Sequence, residues 1–290
     1  MEIIRKVLFA GETLQIGLFH AQPASDACGD VERQSSHALV LPVSGVFAKH
    51  DAPGRYVIGT PSHAILFVAD APYRIGYPGA IGDRALVLRF GEVLAADLRR
   101  ASKESLAAHG LLSPAAMLLR NLLWLRLQTT GVDKLESETL GLDLLSMSLS
   151  SMRADGLPRR RSAFARRRRA VERVKEAVAI APGERWNVAR LAKVAHLSPF
   201  HLCHVFRQMV GTSIYDYVLY ERLAYTLDAV LDGCDLTAIA LDAGFASHSH
   251  YTARFRRVFG CTPTALRRAG PVEQVRELRK IMTARRRQLA

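Results

Sequence analysis

A degenerate duplication in the C-terminal half constrains this chain more than any other feature of its sequence. Segments 188–211 and 236–260 carry matching residues: Ser198, His201, Phe206, Arg207 and Gly211 recur 49 positions later as Ser247, His250, Phe255, Arg256 and Gly260. The alanines before the turn match at a spacing of 48, which indicates one inserted residue in the second copy. Each copy predicts two helices and a turn, with a serine capping the second helix and a glycine ending it.

The repeated unit has the pattern of a helix-turn-helix motif. In that motif the N-terminal part of the second helix enters the major groove of DNA, and the first helix braces it. The residues between Ser213 and Gly233 predict a connecting helix of about 19 residues, about 28 Å long. One turn of DNA advances roughly 34–36 Å, so a helix of that length would hold both second helices on one face of the duplex. A helical repeat that binds protein is the alternative.

The excess of positive over negative charge lies entirely in the half that carries the repeat. Residues 1–150 contain 14 Lys and Arg against 15 Asp and Glu, whereas residues 151–290 contain 26 against 12. A basic module joined to a neutral one favours a polyanionic partner for the basic half alone. We therefore expect a fragment of residues 165–290 to fold and bind duplex DNA by itself. A solvated basic face is the alternative.

The N-terminal half predicts a small β-barrel or sandwich followed by helices. Segments 37–50, 55–69 and 84–90 are rich in β-branched and aromatic residues, and glycine or proline separates them. From residue 91 the periodicity becomes helical, and Ser113 is a candidate N-cap. An apolar pocket lined by residues 65–77, "ILFVADAPYRIGY", is the expected ligand site.

A leucine stripe runs along the last predicted helix of this half. Its members share one helical face and are Leu135, Leu142, Leu145 and Leu149. The stripe predicts either a dimer seam or a core face of the N-terminal domain.

The repeat resembles the DNA-binding domain of the AraC-type transcription factors. The resemblance covers about residues 172–270, and its most specific part is "GFASHSHYTARFRRVFGCTP", in which Tyr251 stands where Phe is common. It implies a cytoplasmic bacterial regulator that binds double-stranded promoter DNA and controls transcription with RNA polymerase as a partner. The N-terminal half weakly resembles the family's cupin-like sensor domain, which binds a small-molecule effector and carries helices for homodimerisation.

Together these features predict an α+β chain. We expect a cupin-like β-barrel with a helical dimerisation region over 1–152 and an Arg-rich linker over 153–169. An all-α domain with two helix-turn-helix motifs joined by a helix follows over 170–270, and a basic helix over 271–290. Eight of the 17 linker residues are Arg, which is typical of a solvated linker and also of an arm that contacts phosphate.

The candidate DNA-contacting residues lie on the second helix of each motif. They are Phe200, Cys203, His204 and Arg207 in the first copy, and His248, Ser249, Thr252 and Arg256 in the second. Residues near the helix starts should meet base edges, and the arginines should meet phosphates. The expected core residues of the motifs are Leu191, Phe206, Ile239 and Phe255. His250 is expected to be structural, packed or hydrogen-bonded within the motif, as its match to His201 in the first copy suggests.

Other chemistry is weakly indicated. The regular spacing of His37, His50 and His63 allows convergence in a barrel, so a cupin-like metal-dependent enzyme with a nucleic-acid-binding tether is the competing function. The N-terminal half has no HxH motif and no Glu near His37 or His50. The triplet His248-Ser249-His250 resembles a metal site, but its two rings lie about 200° apart around the predicted helix and no Cys or third His stands nearby, which disfavours zinc. No catalytic or cofactor-binding motif stands in a persuasive context. We therefore predict neither a metal nor a cofactor, and no enzymatic activity. The four cysteines are scattered without CxxC pairing, which favours buried free thiols.

No segment has the roughly 18 apolar residues of a membrane span, so we expect no membrane partner. The N-terminus lacks the continuous hydrophobic stretch and the cleavage site of a signal peptide.

Overall fold

The computed structural model describes residues 1–102, 108–128, 133–152 and 161–268. It is an α+β fold, as predicted, with strands in the N-terminal region and helices after it. The nine strands of the described ranges are β1 (Glu2–Ala10), β2 (Leu14–Gln22), β3 (His37–Gly45), β4 (Phe47–Ala52), β5 (Arg55–Gly59), β6 (His63–Phe67), β7 (Arg74–Gly76), β8 (Asp83–Phe90) and β9 (His109–Leu111).

Ten α-helices follow or flank these strands within the same ranges. Three belong to the N-terminal region: α1 (Glu92–Ser102), α2 (Pro114–Leu127) and α3 (Lys134–Ser151). The others are α4 (Arg161–Ile180), α5 (Val188–Ala195), α6 (Pro199–Val210), α7 (Ile214–Leu231), α8 (Leu236–Asp242), α9 (His248–Phe259) and α10 (Pro263–Arg268). None of the helices described here is long and apolar enough to cross a membrane.

The strands form two antiparallel sheets that face each other across a cavity. One sheet has the order β1-β2-β8-β3-β6-β9, and the other has the order β5-β4-β7. Strand alternation gives the larger sheet two faces. On β8, Leu86, Leu88 and Phe90 belong to the main hydrophobic cluster, which also contains residues of α2 and α3. Asp83 and Val87 on the opposite face line the cavity.

The leucine stripe of α3 is mostly core. Leu145 and Leu149 are buried in the main hydrophobic cluster, whereas Leu135 is 72% exposed. Gly141 lies against the sheet, where a Cβ would come within 2.6 Å of Leu14. The helix therefore packs closely on the sheet, and a dimer seam through Leu145 and Leu149 is wrong, because periodicity alone does not tell which surface covers an apolar face.

Part of the segment predicted as a linker is helical. Residues 161–169 form the first half of α4, and the second half of that helix packs against α5 and α6 through Val171, Val174 and Val178. Residues 153–160 and the predicted basic helix at 271–290 lie outside the described residues.

Both helix-turn-helix motifs form at the predicted positions. The hydroxyl oxygens of Ser198 and Ser247 accept from the backbone N–H three residues on, and Gly211 and Gly260 end the second helices in left-handed conformation. The expected core residues of the motifs, Leu191, Phe206, Ile239 and Phe255, are all buried.

The turns of the two motifs share a left-handed residue. His196 has φ 55° in the first turn, and Gly244, which is 48 positions later, has φ 77° in the second. A Cβ at Gly244 would lie 2.4 Å from the carbonyl oxygen of Gly183. The first turn therefore tolerates a side chain, and the second requires glycine.

Substituting this glycine should destabilise the protein through the turn of the second motif. We expect Gly244→Ala to lower the free energy of unfolding by about 1–3 kcal/mol through its backbone strain alone, and the clash with Gly183 adds to the loss. The matched change His196→Gly should stay within about 1 kcal/mol of wild type. Urea unfolding measures both, and equal effects of the two changes would contradict this account of the turns.

The helical region packs directly on the barrel. The Glu221 carboxylate of α7 accepts hydrogen bonds from the hydroxyls of Thr60 (2.8 Å) and Ser62 (2.5 Å) at the start of β6. On the next turns of α7, Asp228 pairs with Arg84 of β8. These contacts connect the helix between the two motifs to two strands of the barrel.

Two further contacts join the same regions. The Glu172 carboxylate of α4 accepts from the backbone N–H of Ile58 (2.7 Å) and pairs with Lys175 (3.1 Å). Arg120 of α2 is fully buried and donates to the carbonyl oxygen of Pro61. The main hydrophobic cluster also runs without a break from the sheet through α2 into α7, α8 and α9.

Candidate nucleic-acid interface

The second helix of each motif, α6 or α9, has one buried and one exposed face. In α6 the buried face contains Leu202, Val205 and Phe206. In α9 the buried residues are Tyr251, Phe255 and Phe259, at every fourth position. Tyr251, which stands where the AraC-type pattern has Phe, donates its hydroxyl to Thr226 of α7 (3.1 Å). This hydrogen bond satisfies the one polar atom that the change from Phe introduces into the core.

The candidate residues of α6 form a single exposed stripe. Phe200, Cys203, His204 and Arg207 lie at positions i, i+3, i+4 and i+7, and all four are exposed. The Phe200 ring is 86% exposed, although large apolar side chains are normally covered. An exposed aromatic ring beside a helix start and a cation about two turns further along the helix would suit a surface that meets a base edge and a phosphate.

The candidate residues of α9 form the corresponding stripe. Ser249 and Arg256 are exposed, and His248 and Thr252 are partly exposed, with the Thr252 hydroxyl 3.5 Å from the His248 ring. Shifted by the repeat spacing, Ser249, Thr252 and Arg256 occupy the positions of Phe200, Cys203 and Arg207. The structure thus brings the candidates of each copy together on equivalent faces.

The two histidines of the triplet have different surroundings. The His250 ring is exposed, lies edge-on to Phe245 (5.6 Å between ring centres) and accepts from Nε of Arg254 (3.3 Å). Both contacts lie within the second motif, as expected of a histidine that is packed or hydrogen-bonded there, although the ring also remains exposed to solvent. His248 points toward Thr252 on the stripe instead.

The three histidines of the barrel have separate partners. His37 contacts Glu92 (2.7 Å), His50 stacks on Tyr56 (5.3 Å), and His63 is buried beside Glu221. Burial lowers the pKa of His63 well below its ordinary value, which keeps the ring neutral. In the part of the chain that the structure describes, no group of three or more His, Cys, Asp or Glu side chains is arranged to hold a metal ion.

The cysteines are all free thiols, as predicted, but they are not all buried. Cys203 and Cys234 are exposed, and Cys28 and Cys261 are partly buried. Cys203 lies on the stripe of α6, which explains its exposure.

A cavity of about 980 Å³ lies between the two sheets of the barrel. The stretch that was expected to line a pocket supplies Phe67, Tyr73, Ile75 and Tyr77 to its wall. The prediction of the pocket is therefore confirmed for these residues. The segment between β2 and β3 contributes part of the rim, including Cys28 and Glu32.

Sequence reasoning missed the charged residues of this cavity. Asp83 and Arg89 both line it, and both lie on β8. The signal was available, because strict alternation in "DRALVLRF" places Asp83, Ala85, Val87 and Arg89 on one face. The contacts of Glu221 and Arg120 had no comparable signal, since their partners lie far away in sequence.

Comparison with known proteins identifies the C-terminal region. Residues 191–269 match a family described as a helix-turn-helix domain. The RCS-specific HTH-type transcriptional activator RclR of Escherichia coli K12 is 34% identical over 98 residues, which are 33% of this chain and 33% of that protein. A putative AraC-like transcription regulator of Streptomyces antibioticus is 34% identical over 83 residues, or 28% of this chain and 27% of that protein.

Among solved structures, apo ToxT from Vibrio cholerae aligns with 89% of this chain and 97% of its own, at 14% identity and a TM-score of 0.36. This chain spans about a third of the length of the curated relatives that it matches. The match to the family covers the two motifs and the connecting helix between them. Residues 191–269 therefore match a helix-turn-helix domain, and the relatives that share similarity with this chain include one named as AraC-like.

Proposed function

We propose that this chain is a sequence-specific, DNA-binding transcriptional regulator whose N-terminal cavity binds a small-molecule effector. The observation that carries the proposal is the pair of equivalent exposed stripes on α6 and α9, each on a helix that a serine caps. The connecting helix α7 has 18 residues, which at the helical rise gives about 27 Å. That spacing suits two recognition helices in successive major grooves on one face of DNA.

The candidate residues take different roles in this proposal. Phe200, His248 and Ser249 lie in the first turns of their helices and would meet base edges, where an aromatic ring can contact a thymine methyl group, and Cys203 follows one turn after Phe200. Arg207 and Arg256 lie in the last turns and would bind phosphates. His204 and Thr252 occupy the middle of the same stripes.

The proposed partners follow from the two regions. Promoter DNA binds the basic helical region, and a small effector binds the cavity of the barrel. The hydrogen bonds of Glu221 with Thr60 and Ser62 connect α7 to the residues just before β6 of that barrel. We also propose that the chain forms a homodimer and acts with RNA polymerase in the cytoplasm. The relatives' names support the regulatory role, because they are called transcriptional activators and regulators.

Selection of bound duplexes from a random DNA pool tests the function. We expect the full chain to enrich one sequence with two half-sites about one helical turn apart. Affinity should fall steeply as salt rises, because phosphate neutralisation releases counterions. A pool without enrichment, or binding that does not depend on salt, would contradict the proposal.

A pair of histidine variants tests the assignment of the α9 stripe. We expect His248→Ala to weaken binding by about 1–3 kcal/mol at one or two base pairs if the ring makes a good base contact. The control His250→Ala removes an exposed ring beside the stripe and should keep the wild-type base preferences. Both variants should unfold at nearly the wild-type temperature, because neither ring is buried. Identical losses of specificity in the two variants would argue against the assignment.

A further inference from the structure

The cavity of the barrel contains a buried carboxyl group without a partner. Asp83 is 4% exposed and lines the cavity at the start of β8. Neither oxygen of its side chain has a hydrogen-bond partner among the residues that the structure describes. Buried polar groups are nearly always hydrogen-bonded, and one that is not is explained by a group the structure does not contain.

The same wall carries two arginines. Arg89 lies six residues after Asp83 on β8, and no carboxylate of the described ranges is within ion-pair distance of it. Arg5 of β1 also lines the cavity, lies over the ring of Phe19 (5.6 Å) and has only a long contact to Glu32 (3.9 Å). Burial, with the charge of Arg5, lowers the pKa of Arg89. The two guanidinium groups therefore have unused capacity to bind an anion.

The space between the two ends is apolar. Phe19, Phe47, Phe67 and Val87 line it. An Arg89 nitrogen lies 3.2 Å from where Gly17 would carry a Cβ, and Gly17 pairs with Val87. Val87 is four residues from Asp83, so the Arg89 guanidinium and the carboxyl group are separated by about 13 Å along the strand. The backbone of Arg5 pairs with Phe19 opposite Ala85, about 7 Å from Asp83 along the strand, and the charge of its side chain reaches Arg89.

We propose that the effector is a rod-shaped amphoteric molecule with an anionic group at Arg5 and Arg89, an apolar body, and an amine at Asp83. This proposal rests on the proposed function, because it names the ligand class of the same cavity. The amine would donate to both carboxylate oxygens, and the anion would accept from the guanidinium groups. A plain amphipathic acid would leave Asp83 without a partner.

Proton release accompanies binding in this proposal. Burial raises the pKa of Asp83 to about 8, so the free carboxyl group is largely protonated at neutral pH. A bound ammonium group favours the charged carboxylate, and the proton leaves to solvent. Binding measured at pH 7 in buffers of different ionisation enthalpy should reveal this release.

Calorimetric titration of the full chain with three probes tests the proposal. The probes are ω-aminooctanoate, octanoate and octylamine, which carry both charged groups, the anion alone and the cation alone. We expect ω-aminooctanoate to bind at least tenfold more tightly than octanoate, with release of a proton. Asp83→Asn should abolish that preference, and Arg89→Gln should weaken both acids while sparing octylamine. The control Asp30→Asn removes an exposed carboxylate outside the cavity and should change nothing.

Equal affinity for ω-aminooctanoate and octanoate would overturn the proposal. The same conclusion follows if none of the probes binds saturably, or if Asp83→Asn keeps the preference. Selection of DNA by the same preparation separates this result from the proposed function. A chain that selects DNA but ignores the probes remains a regulator with a different ligand, whereas a chain that selects no DNA fails as a regulator whatever the probes do.

Discussion

Replacing Glu221 by alanine is expected to lower the free energy of unfolding by about 1–3 kcal/mol for each buried hydroxyl that loses its acceptor. Glu221 is 2% exposed, and its carboxylate accepts from Thr60 and Ser62. Alanine would leave both hydroxyls buried without this acceptor. Burial raises the pKa of Glu221, but hydrogen bonds from Ser62 and other neighbours offset part of that shift. The cluster therefore depends on the oxygens of Glu221.

Two control variants isolate this effect. Glu221→Gln keeps an acceptor oxygen for the hydroxyls and should lose less stability than alanine. Glu184→Ala removes a half-exposed partner of Arg190 and should cost no more than about 1 kcal/mol. Urea unfolding of the full chain measures all three. If Glu221→Ala were as stable as Glu184→Ala, the contact between α7 and the barrel would not form in solution.

Replacing Asp83 by asparagine is expected to remove a large pH dependence of stability. Burial raises the pKa of Asp83 from 3.8 to about 8. Between these values the folded state holds the proton and the unfolded state releases it, so the wild type loses stability as pH rises from about 4 to about 8. The slope for one such group is about 1.4 kcal/mol per pH unit. Asp83→Asn should therefore be several kcal/mol more stable than wild type at pH 8 and similar to it at pH 4.

The difference between the two proteins is the quantity to measure. Burial lowers the pKa of His63 and His109, which destabilises the fold on acidification, but both proteins share that effect and it cancels. Urea unfolding across the pH range gives the difference curve. A difference that does not change with pH would mean that Asp83 is ionised or hydrogen-bonded in the folded protein.

The helix-turn-helix domain could be predicted because its signals are local. Ser198 and Ser247 cap helices whose hydrogen bonds they complete within three residues, and Gly211 supplies the left-handed end of its helix. Because the motif is repeated, each of these signals occurs twice in the sequence. The exposed stripes followed from the same periodicity, since a helix with one buried face presents the other to solvent.

The sequence predicted a small barrel or sandwich, but it did not predict which strands pair. Alternation indicates strands, but the order β1-β2-β8-β3-β6-β9 depends on pairings far apart in sequence. For the same reason the contact of Glu221 with Thr60 had no signal. For the stripe through Leu145 the sequence left a dimer seam and a core face as alternatives, because periodicity identifies an apolar face without identifying the surface that covers it, and the structure supports the core face. Strand alternation in β8 places Asp83 on the face toward the cavity, so its position could have been predicted.

The position of α7 limits how far this protein can be treated as modular. One hydrophobic cluster continues from the barrel through α2 to Leu223, Leu227 and Phe255, and α7 also carries Glu221 and Asp228 toward the strands. A fragment beginning at residue 165 would expose that apolar surface and leave two acidic side chains without their partners. A chimaera in which another barrel replaced this one would carry the same defect unless it also supplied the matching face of α2. The unit that can be exchanged is therefore the barrel together with the face of α7 that packs against it. Heat should melt the chain in one cooperative transition rather than two.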